Sequence, residues 1–204
     1  MTSKAVCSRY FGARIANEPV HIQYSYDTRA IVLVNHTLTP EQGLRASIRV
    51  RNLDGSIAFE RQLQHIDLEA NATRQLTILP AIQGLSRTYF IELALASAQG
   101  QPISRNVYWL STQPDELDWE HSNWYLTPLK QSADFTALQS LPAATSEVRA
   151  TMRRDGSAAV VSVTLKVPSA SAAVALFQHL ALKRPGGGEV LLPVLWSDND
   201  VTLW

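Results

Sequence analysis

A carboxylate with potential chemistry stands near the start of the chain, in the stretch NEPVHIQYSYD at residues 17–27. Glu18 follows Asn17, and an Asn-Glu pair can supply the acid/base of retaining glycoside hydrolysis. That reaction requires a second carboxyl about 5–5.5 Å away on a rigid frame. Glu18 instead follows a segment of helical spacing and precedes Pro19. We therefore expect Glu18 to be a corner residue between a helix and a strand, and we predict no catalytic residue in this chain.

Other clusters of polar residues lack the spacing of a metal site. The densest carboxylate run consists of Asp115, Glu116, Asp118 and Glu120. It lacks the glycine and the alternating ligands of a calcium loop, which favours a solvated acidic segment. Asp198 and Asp200 flank Asn199 in a pattern typical of an Asx turn. The histidines also show no ligand spacing; they are His21, His36, His65, His121 and His179. We predict no metal site and no cofactor.

Aromatic side chains are the strongest candidates for a binding site, because sugar-binding modules stack pyranose rings on exposed Trp and Tyr. The candidate carbohydrate-binding residues are Trp119, Trp124, Tyr125 and Trp196. The alternative is that these rings pack their own segments against folded domains. Their dispersal along the chain favours packing, since Trp119 and Trp124 lie on a connector and Trp196 adjoins a turn.

Composition limits the classes of partner. The 204 residues fit one large domain or two domains of about 100 residues. Eighteen basic and eighteen acidic residues cancel without clustering, so we expect neither a nucleic-acid partner nor a membrane partner.

Cys7 is the only cysteine, which excludes an intrachain disulfide and a cysteine-built zinc site. Arg9 and Arg14 interrupt the apolar core that a signal peptide would need.

Residues 19–111 carry the period of two that is typical of β-strands with one buried face. The clearest run alternates Leu44, Ala46, Ile48 and Val50 with polar residues, including Arg45, Arg49 and Arg51, which predicts a cationic solvated face. Seven short strands are predicted, over residues 21–26, 30–34, 44–50, 57–63, 74–79, 89–96 and 103–110. This pattern indicates an immunoglobulin-like β-sandwich.

Residues 112–146 form a connector that is rich in Pro, Asp and Ser. It also carries Trp119, Trp124, Tyr125 and Phe135. Leaving such rings exposed forfeits about 1.5–3 kcal/mol each, so we expect an ordered connector packed along a domain surface. A short helix is predicted over residues 134–140, with Ser132 or Asp134 as its cap.

Residues 147–204 return to the period of two, and we predict a second β-sandwich of about five strands. Val161, Val163, Leu165 and Val167 alternate with polar residues. Further strands are predicted over residues 174–182, 190–196 and 201–204, with a turn at 185–188. The sequence stops within an apolar strand, so we expect this domain to be truncated, of marginal stability and capable of self-association through an open sheet edge.

Residues 1–18 have a different pattern, because Val6, Tyr10 and Ala13 fall at roughly helical spacing. Pro19 blocks helical continuation near the end of the segment. We therefore expect a short N-terminal helix, which needs a surface to pack on because isolated short helices are marginal in water.

Three blocks of sequence carry a resemblance to a known family. They are YFGARIANEPVHIQYSYDTRAIVLVN, SRNVYWLSTQPDELDWEHSNWYLTP with the following ADFTALQSLP, and LLPVLWSDNDVTLW. These blocks resemble the C-terminal region of glycoside hydrolase family 2 enzymes. The most similar subgroup is the exo-β-D-glucosaminidases, with plant-type endo-β-mannosidases nearby.

The resemblance implies a parent retaining glycosidase, which hydrolyses O-glycosyl bonds with two glutamates on a (β/α)₈ barrel. Residues 1–18 would be the remnant of the last barrel helix, and the rest would be all-β, with two terminal immunoglobulin-like sandwiches. The implied function is non-catalytic support of the catalytic barrel, which would be the main partner, with a glycan as a further one. The parent would be a candidate for secretion or a periplasmic location.

Two other functions remain open. One is a carbohydrate-binding module that adds substrate affinity, and the other is a free-standing immunoglobulin-like adhesion or chaperone module. Glycan binding that is lost on Trp124→Ala or Trp119→Ala would favour the first. A barrel encoded immediately upstream would exclude the second.

Overall fold

The computed structural model describes residues 8–168, 174–184, 186–188, 195–198 and 200–204. The chain divides into two compact units, Met1–Ser140 and Leu141–Trp204. The first unit contains α1 (Ser8–Ala16), β1 (Val20–Tyr24), β2 (Ala30–Asn35), β3 (Glu41–Asn52), β4 (Ile57–Leu68), β5 (Ala72–Ile78), β6 (Thr88–Ala96), β7 (Pro102–Ser111), β8 (Glu116–Leu117), β9 (Leu129–Gln131) and the 3-10 helix η1 (Thr136–Ser140). The second contains β10 (Glu147–Asp155), β11 (Ala158–Lys166), β12 (Ala175–His179) and β13 (Asp200–Leu203). No helix in the described ranges has the length and apolar character needed to cross a membrane.

Seven strands of the first unit form a sandwich of two antiparallel sheets. The strand order is β1-β2-β5 in one sheet and β4-β3-β6-β7 in the other. Side chains from both sheets form one core, in which Ile22, Leu33, Ile48 and Leu93 are 0% exposed. All seven predicted strands are present, because the alternation of apolar and polar residues dictates which face of each strand is buried.

The hairpin strands β3 and β4 are longer than the predicted strands over residues 44–50 and 57–63. Their pairing contains register shifts, one of them between Glu41 and Leu44. Gly43 and His65 take positive φ angles of 65° and 56° within these strands. Such bulges change the phase of the alternation, so the period-two pattern does not reveal the full length of either strand.

Gly43→Ala is expected to destabilise the first unit by about 1–2 kcal/mol, because φ is positive there and a new Cβ would lie 3.1 Å from the Ala98 Cβ. Gly84→Ala is the matched control, since Gly84 also has a positive φ but nothing within 4 Å of the added Cβ. Denaturant unfolding of both variants measures the difference. Equal losses of stability in the two variants would mean that the close contact with Ala98 adds nothing to the cost of the positive φ.

Asn35, at the end of β2, joins two loops through a buried amide that is 1% exposed. Its Nδ2 donates to the carbonyl oxygens of Thr39 (2.8 Å) and Glu69 (3.0 Å). Its Oδ1 accepts from the backbone N (2.9 Å) and the hydroxyl (2.7 Å) of Thr37. Every strong hydrogen-bonding position of the amide is therefore used.

Glu18 lies in the corner between α1 and β1, as the sequence predicts. Its backbone N donates to Ile15 O at 3.2 Å, which closes the last turn after the helix. Its carbonyl oxygen lies 2.7 Å from His21 Nδ1, and the His21 ring is 3% exposed. The corner thus fixes the direction in which the chain enters the sandwich.

Residues 112–140 of the first unit are attached to the sandwich at one end of its four-stranded sheet. Thr112 N donates to Arg87 O at 2.8 Å, and Thr88 Oγ1 donates to Asp134 O at 3.3 Å. A guanidinium nitrogen of Arg87 lies 3.8 Å from an Asp134 carboxylate oxygen. Backbone and side-chain bonds therefore order this segment against the sheet.

The same segment contains a small hairpin that periodicity does not predict. β8 and β9 pair antiparallel, and the carboxylate of Asp115 accepts from Ala133 N at 2.7 Å just outside the pair. The helix predicted over residues 134–140 is found as the shorter η1. The Asp134 carboxylate caps it by accepting from Thr136 N at 3.0 Å.

The second unit consists, in its described part, of two antiparallel pairs, β10-β11 and β12-β13. β10 and β11 pair over their full length around a turn at Gly156, where φ is 60°. Val148, Met152 and Val161 lie on one face of this hairpin and are 59%, 70% and 39% exposed. The strand predicted over residues 190–196 falls mostly outside the described residues, and no strand is found at 195–198.

Candidate functional site

Within the described ranges, no three His, Cys, Asp or Glu side chains come close enough to hold a metal ion. One Glu18 carboxylate oxygen is buried and, among the described residues, has no hydrogen-bond partner. A single carboxylate of this kind does not provide the carboxyl pair of a retaining site.

Three of the four predicted binding residues lie in the turn of the β8-β9 hairpin. We call residues 118–128 the aromatic loop, which contains Trp119, Trp124 and Tyr125. Asp118 N donates to Pro128 O at 2.9 Å and closes its base. Asn123 N donates to Leu126 O at 2.9 Å and forms its tip. The loop is thus a hydrogen-bonded turn and not an irregular linker.

Side chains add further bonds inside the aromatic loop. Asn123 Oδ1 accepts from the backbone N atoms of Tyr125 and Leu126, both at 2.9 Å. The hydroxyls of Ser122 and Thr127 lie 2.7 Å apart. His121 Nδ1 lies 2.7 Å from the Asp118 carboxylate. These local bonds hold the backbone in place.

The rings of the aromatic loop point into solvent. Trp124 is 96% exposed, Tyr125 81% and Trp119 70%. The rings of Trp124 and Tyr125 meet edge to face, with centroids 5.6 Å apart and planes at 64°. The expectation that burial of these rings orders the connector is therefore wrong for the three residues, because hydrogen bonds at Asp118 and Asn123 order the loop instead.

Trp196, the fourth predicted binding residue, belongs to the second unit and is partly buried. The turn beside it has the predicted Asx character, since Asp198 Oδ1 accepts from Asp200 N at 3.1 Å. The Asp200 carboxylate lies 3.2 Å from His179 Nδ1. The structure therefore brings Trp119, Trp124 and Tyr125 into one loop and places Trp196 in a different unit.

A tyrosine cluster, which the sequence does not predict, joins the two sheets of the sandwich. Tyr108 Oη accepts from Tyr24 N at 3.2 Å, and the two rings pack with centroids 5.8 Å apart. The Tyr26 ring contacts both of them edge to face. Burial raises the pKa of Tyr24, Tyr89 and Tyr108 above the ordinary tyrosine value. The partners are 84 residues apart, so no local pattern reveals them.

This cluster predicts a loss of stability at alkaline pH. A tyrosine with a raised folded-state pKa favours its neutral form, so its contribution is complete below about pH 10 and is lost as the pH rises through the raised pKa. Denaturant unfolding at pH values from about 8 to 11 should show a falling free energy of unfolding above pH 10. Tyr108→Phe should flatten this decline. A free energy that is independent of pH in this range would contradict the prediction.

A charge network covers the outer face of the four-stranded sheet, where the sequence predicts a cationic solvated surface. Glu92 lies at its centre, with nitrogens of Arg105, Arg51 and Arg49 at 3.1, 3.4 and 3.9 Å from its carboxylate. The side chains of Glu92 and Arg51 are only 11% and 13% exposed. Arg49 also pairs with Glu60 at 2.8 Å, and this hydrogen bond lowers the pKa of Glu60. Two carboxylates therefore offset part of the positive charge of this face, and the centre of the network is largely buried.

Two sequence families match the chain. Residues 27–113 match the family described as "Mannosidase Ig/CBM-like domain", and residues 124–204 match that described as "Exo-beta-D-glucosaminidase Ig-fold domain". The second match begins at Trp124, inside the aromatic loop, although the loop belongs to the first compact unit. The predicted all-β fold with two immunoglobulin-like domains and a short helix is confirmed.

Several characterised proteins are similar to nearly the whole chain. An exo-β-D-glucosaminidase of Streptomyces avermitilis is 38% identical over 198 residues, which are 96% of this chain and 22% of that protein. The enzyme of the same name from Hypocrea jecorina is 32% identical, with coverage of 96% and 22%. A solved complex of Amycolatopsis orientalis exo-chitosanase CsxA with PNP-β-D-glucosamine superposes with a TM-score of 0.88 at 38% identity, covering 96% of this chain and 23% of that one.

The chain thus spans about a fifth of the length of the curated relatives that it matches. The resemblance inferred from the three sequence blocks is confirmed. Over 96% of its length, the chain matches the immunoglobulin-fold domains in the C-terminal region of exo-β-D-glucosaminidases of glycoside hydrolase family 2.

Proposed function

We propose that this chain is a non-catalytic region of a longer family 2 glycosidase and supports the catalytic barrel of that enzyme. The observation that carries the proposal is the coverage: 96% of this chain aligns with only 22% of a glucosaminidase. The Asn17-Glu18 pair, which could have supplied an acid/base, lies in the corner between α1 and β1 and not on a barrel strand. Rigid supporting domains keep an active-site rim in place, because catalytic geometry tolerates errors of only about 0.5 Å.

The proposal predicts that the 204-residue chain alone hydrolyses no aryl β-D-glucosaminide. In the longer enzyme, deletion of these residues should lower both activity and thermal stability. The assays are release of the aryl group and calorimetry. Turnover by the isolated chain that disappears on Glu18→Gln would contradict the proposal, as would a deletion enzyme with full activity and unchanged melting.

A second candidate function is carbohydrate binding, favoured by the exposure of Trp124, which is 96%. Exposed Trp and Tyr rings can stack on pyranose faces, and Trp119, Tyr125 and Trp196 would be the other contributors. Titration calorimetry with glucosamine oligomers tests it. Binding that is lost in Trp124→Ala and Trp119→Ala, but kept in Trp196→Ala, would assign the aromatic loop as the sugar site. Absence of binding at millimolar oligomer would exclude this function.

A further inference from the structure

We propose that the aromatic loop is a docking element that inserts into an apolar socket on the remaining part of the longer glycosidase chain. The inference rests on the supporting function proposed above and names the surface through which the support is transmitted. Trp124 and Tyr125 form the tip of this element, and Trp119 and Leu126 flank them.

The shape of the loop favours a protein socket as its occupant. Sites for small molecules are concave and enclose about 70–90% of the ligand surface. The aromatic loop is a projection, since Trp124 is 96% exposed and Leu126, beside it, is 56% exposed. A projecting ring can contact only one face of a sugar, whereas it can be enclosed completely by a pocket on a second protein surface. Trp and Tyr are also the residues that most often dominate the energy of protein contacts.

The polar groups of the loop point to the same occupant. A sugar site needs free donors and acceptors beside the stacking ring. In this loop, the Asn123 side-chain oxygen and the hydroxyls of Ser122 and Thr127 are already bonded to other loop atoms. Glu120 is exposed beside Trp119, a position that suits the polar rim of a protein interface.

The loop is also organised before any partner binds. Its closing bonds at Asp118 and Asn123 fix the backbone, and the edge-to-face contact of Trp124 with Tyr125 orients both rings. Binding then costs little conformational entropy, because few torsions remain to be ordered. A rigid apolar projection is well suited to hold one domain in place against another.

The relatives supply the argument for a partner within the same chain. In the S. avermitilis glucosaminidase, the matching region makes up 22% of the protein, so most of that polypeptide lies outside it. A covalently linked partner acts at high effective concentration, so a contact of a few side chains is sufficient. A second copy of this chain would have no such advantage.

Hydroxyl-radical footprinting with mass spectrometry tests the proposal, by comparison of the 204-residue chain with the longer chain. Trp124 and Tyr125 should be modified about tenfold more slowly in the longer chain. Leu38, which is 91% exposed in the same unit, and Met152, which is 70% exposed in the other, report general changes in accessibility. Equal modification of Trp124 in the two chains would overturn the proposal.

Substitutions in the longer chain provide an independent readout. Trp124→Ala combined with Tyr125→Ala should accelerate thermal inactivation about tenfold. Leu38→Ala removes an exposed apolar side chain of the same unit and should leave the inactivation rate unchanged. No acceleration in the double variant would contradict the docking role.

Other occupants give different results in the 204-residue chain itself. If added glucosamine oligomers protect Trp124 from modification, the occupant of the loop is a sugar. If protection rises with protein concentration, the occupant is a second copy of the chain. Either result overturns the proposal of an apolar socket. The supporting function is judged separately by deletion of the whole region. If deletion impairs the longer enzyme while the loop variants do not, the docking inference fails and the supporting function stands.

Discussion

Asn35→Asp is expected to lower the free energy of unfolding of the first unit by about 3 kcal/mol or more. The change is isosteric, but it replaces an NH₂ group by a carboxylate oxygen. That oxygen would face the carbonyl oxygens of Thr39 and Glu69, which the amide now contacts at 2.8 and 3.0 Å. Because the side chain is 1% exposed, water cannot compensate. Denaturant unfolding at neutral pH measures the loss.

The pH dependence of the Asn35→Asp effect tests whether loss of the amide donor is its cause. Protonation of the new carboxyl restores a donor, so the destabilisation should shrink as the pH falls towards about 4. Asn71→Asp is the matched control, because Asn71 is an exposed asparagine in the turn between β4 and β5. It should change the free energy by about 0.5 kcal/mol or less. A similar small effect at Asn35 would show that its buried bonds do not contribute to stability.

Glu92→Ala is expected to destabilise the first unit by about 2 kcal/mol or more. The substitution leaves Arg49, Arg51 and Arg105 close together without the carboxylate that they share. Arg51 is 13% exposed, so its charge is only partly solvated after the change. Arg49 and Arg105 are 34% and 42% exposed, which keeps the expected loss below that of a fully buried pair.

Two variants separate this network from ordinary surface charge. Glu92→Gln keeps the shape and one acceptor, so it should lose about half as much stability. Glu60→Gln removes a more exposed partner of Arg49, with 40% exposure, and should lower stability less than Glu92→Gln does. Added salt should diminish the Glu60 effect more than the Glu92 effect. Equal sensitivity to salt at both positions would contradict a partly buried network.

The aromatic loop illustrates how far a connector can be predicted. Its composition suggests order, since flexible linkers rarely carry such rings. The physical cause is different, however, because Trp124 and Tyr125 are exposed and the hydrogen bonds of Asn123 fix the turn. The composition of the segment indicates that its apolar side chains need a surface to pack against. It does not indicate whether that surface belongs to the same folded unit.

The sequence by itself determined the seven strands of the first sandwich, the helix before them and the corner at Glu18. These features depend on neighbours in the chain, through side-chain alternation, turn residues and the constraint of Pro19. Only the tertiary structure decided that Asn35 joins two loops, that Tyr108 binds Tyr24 N and that Glu92 gathers three arginines. The reason is physical: hydrogen bonds and ion pairs depend on distance in space, and their partners come from strands that the fold brings together.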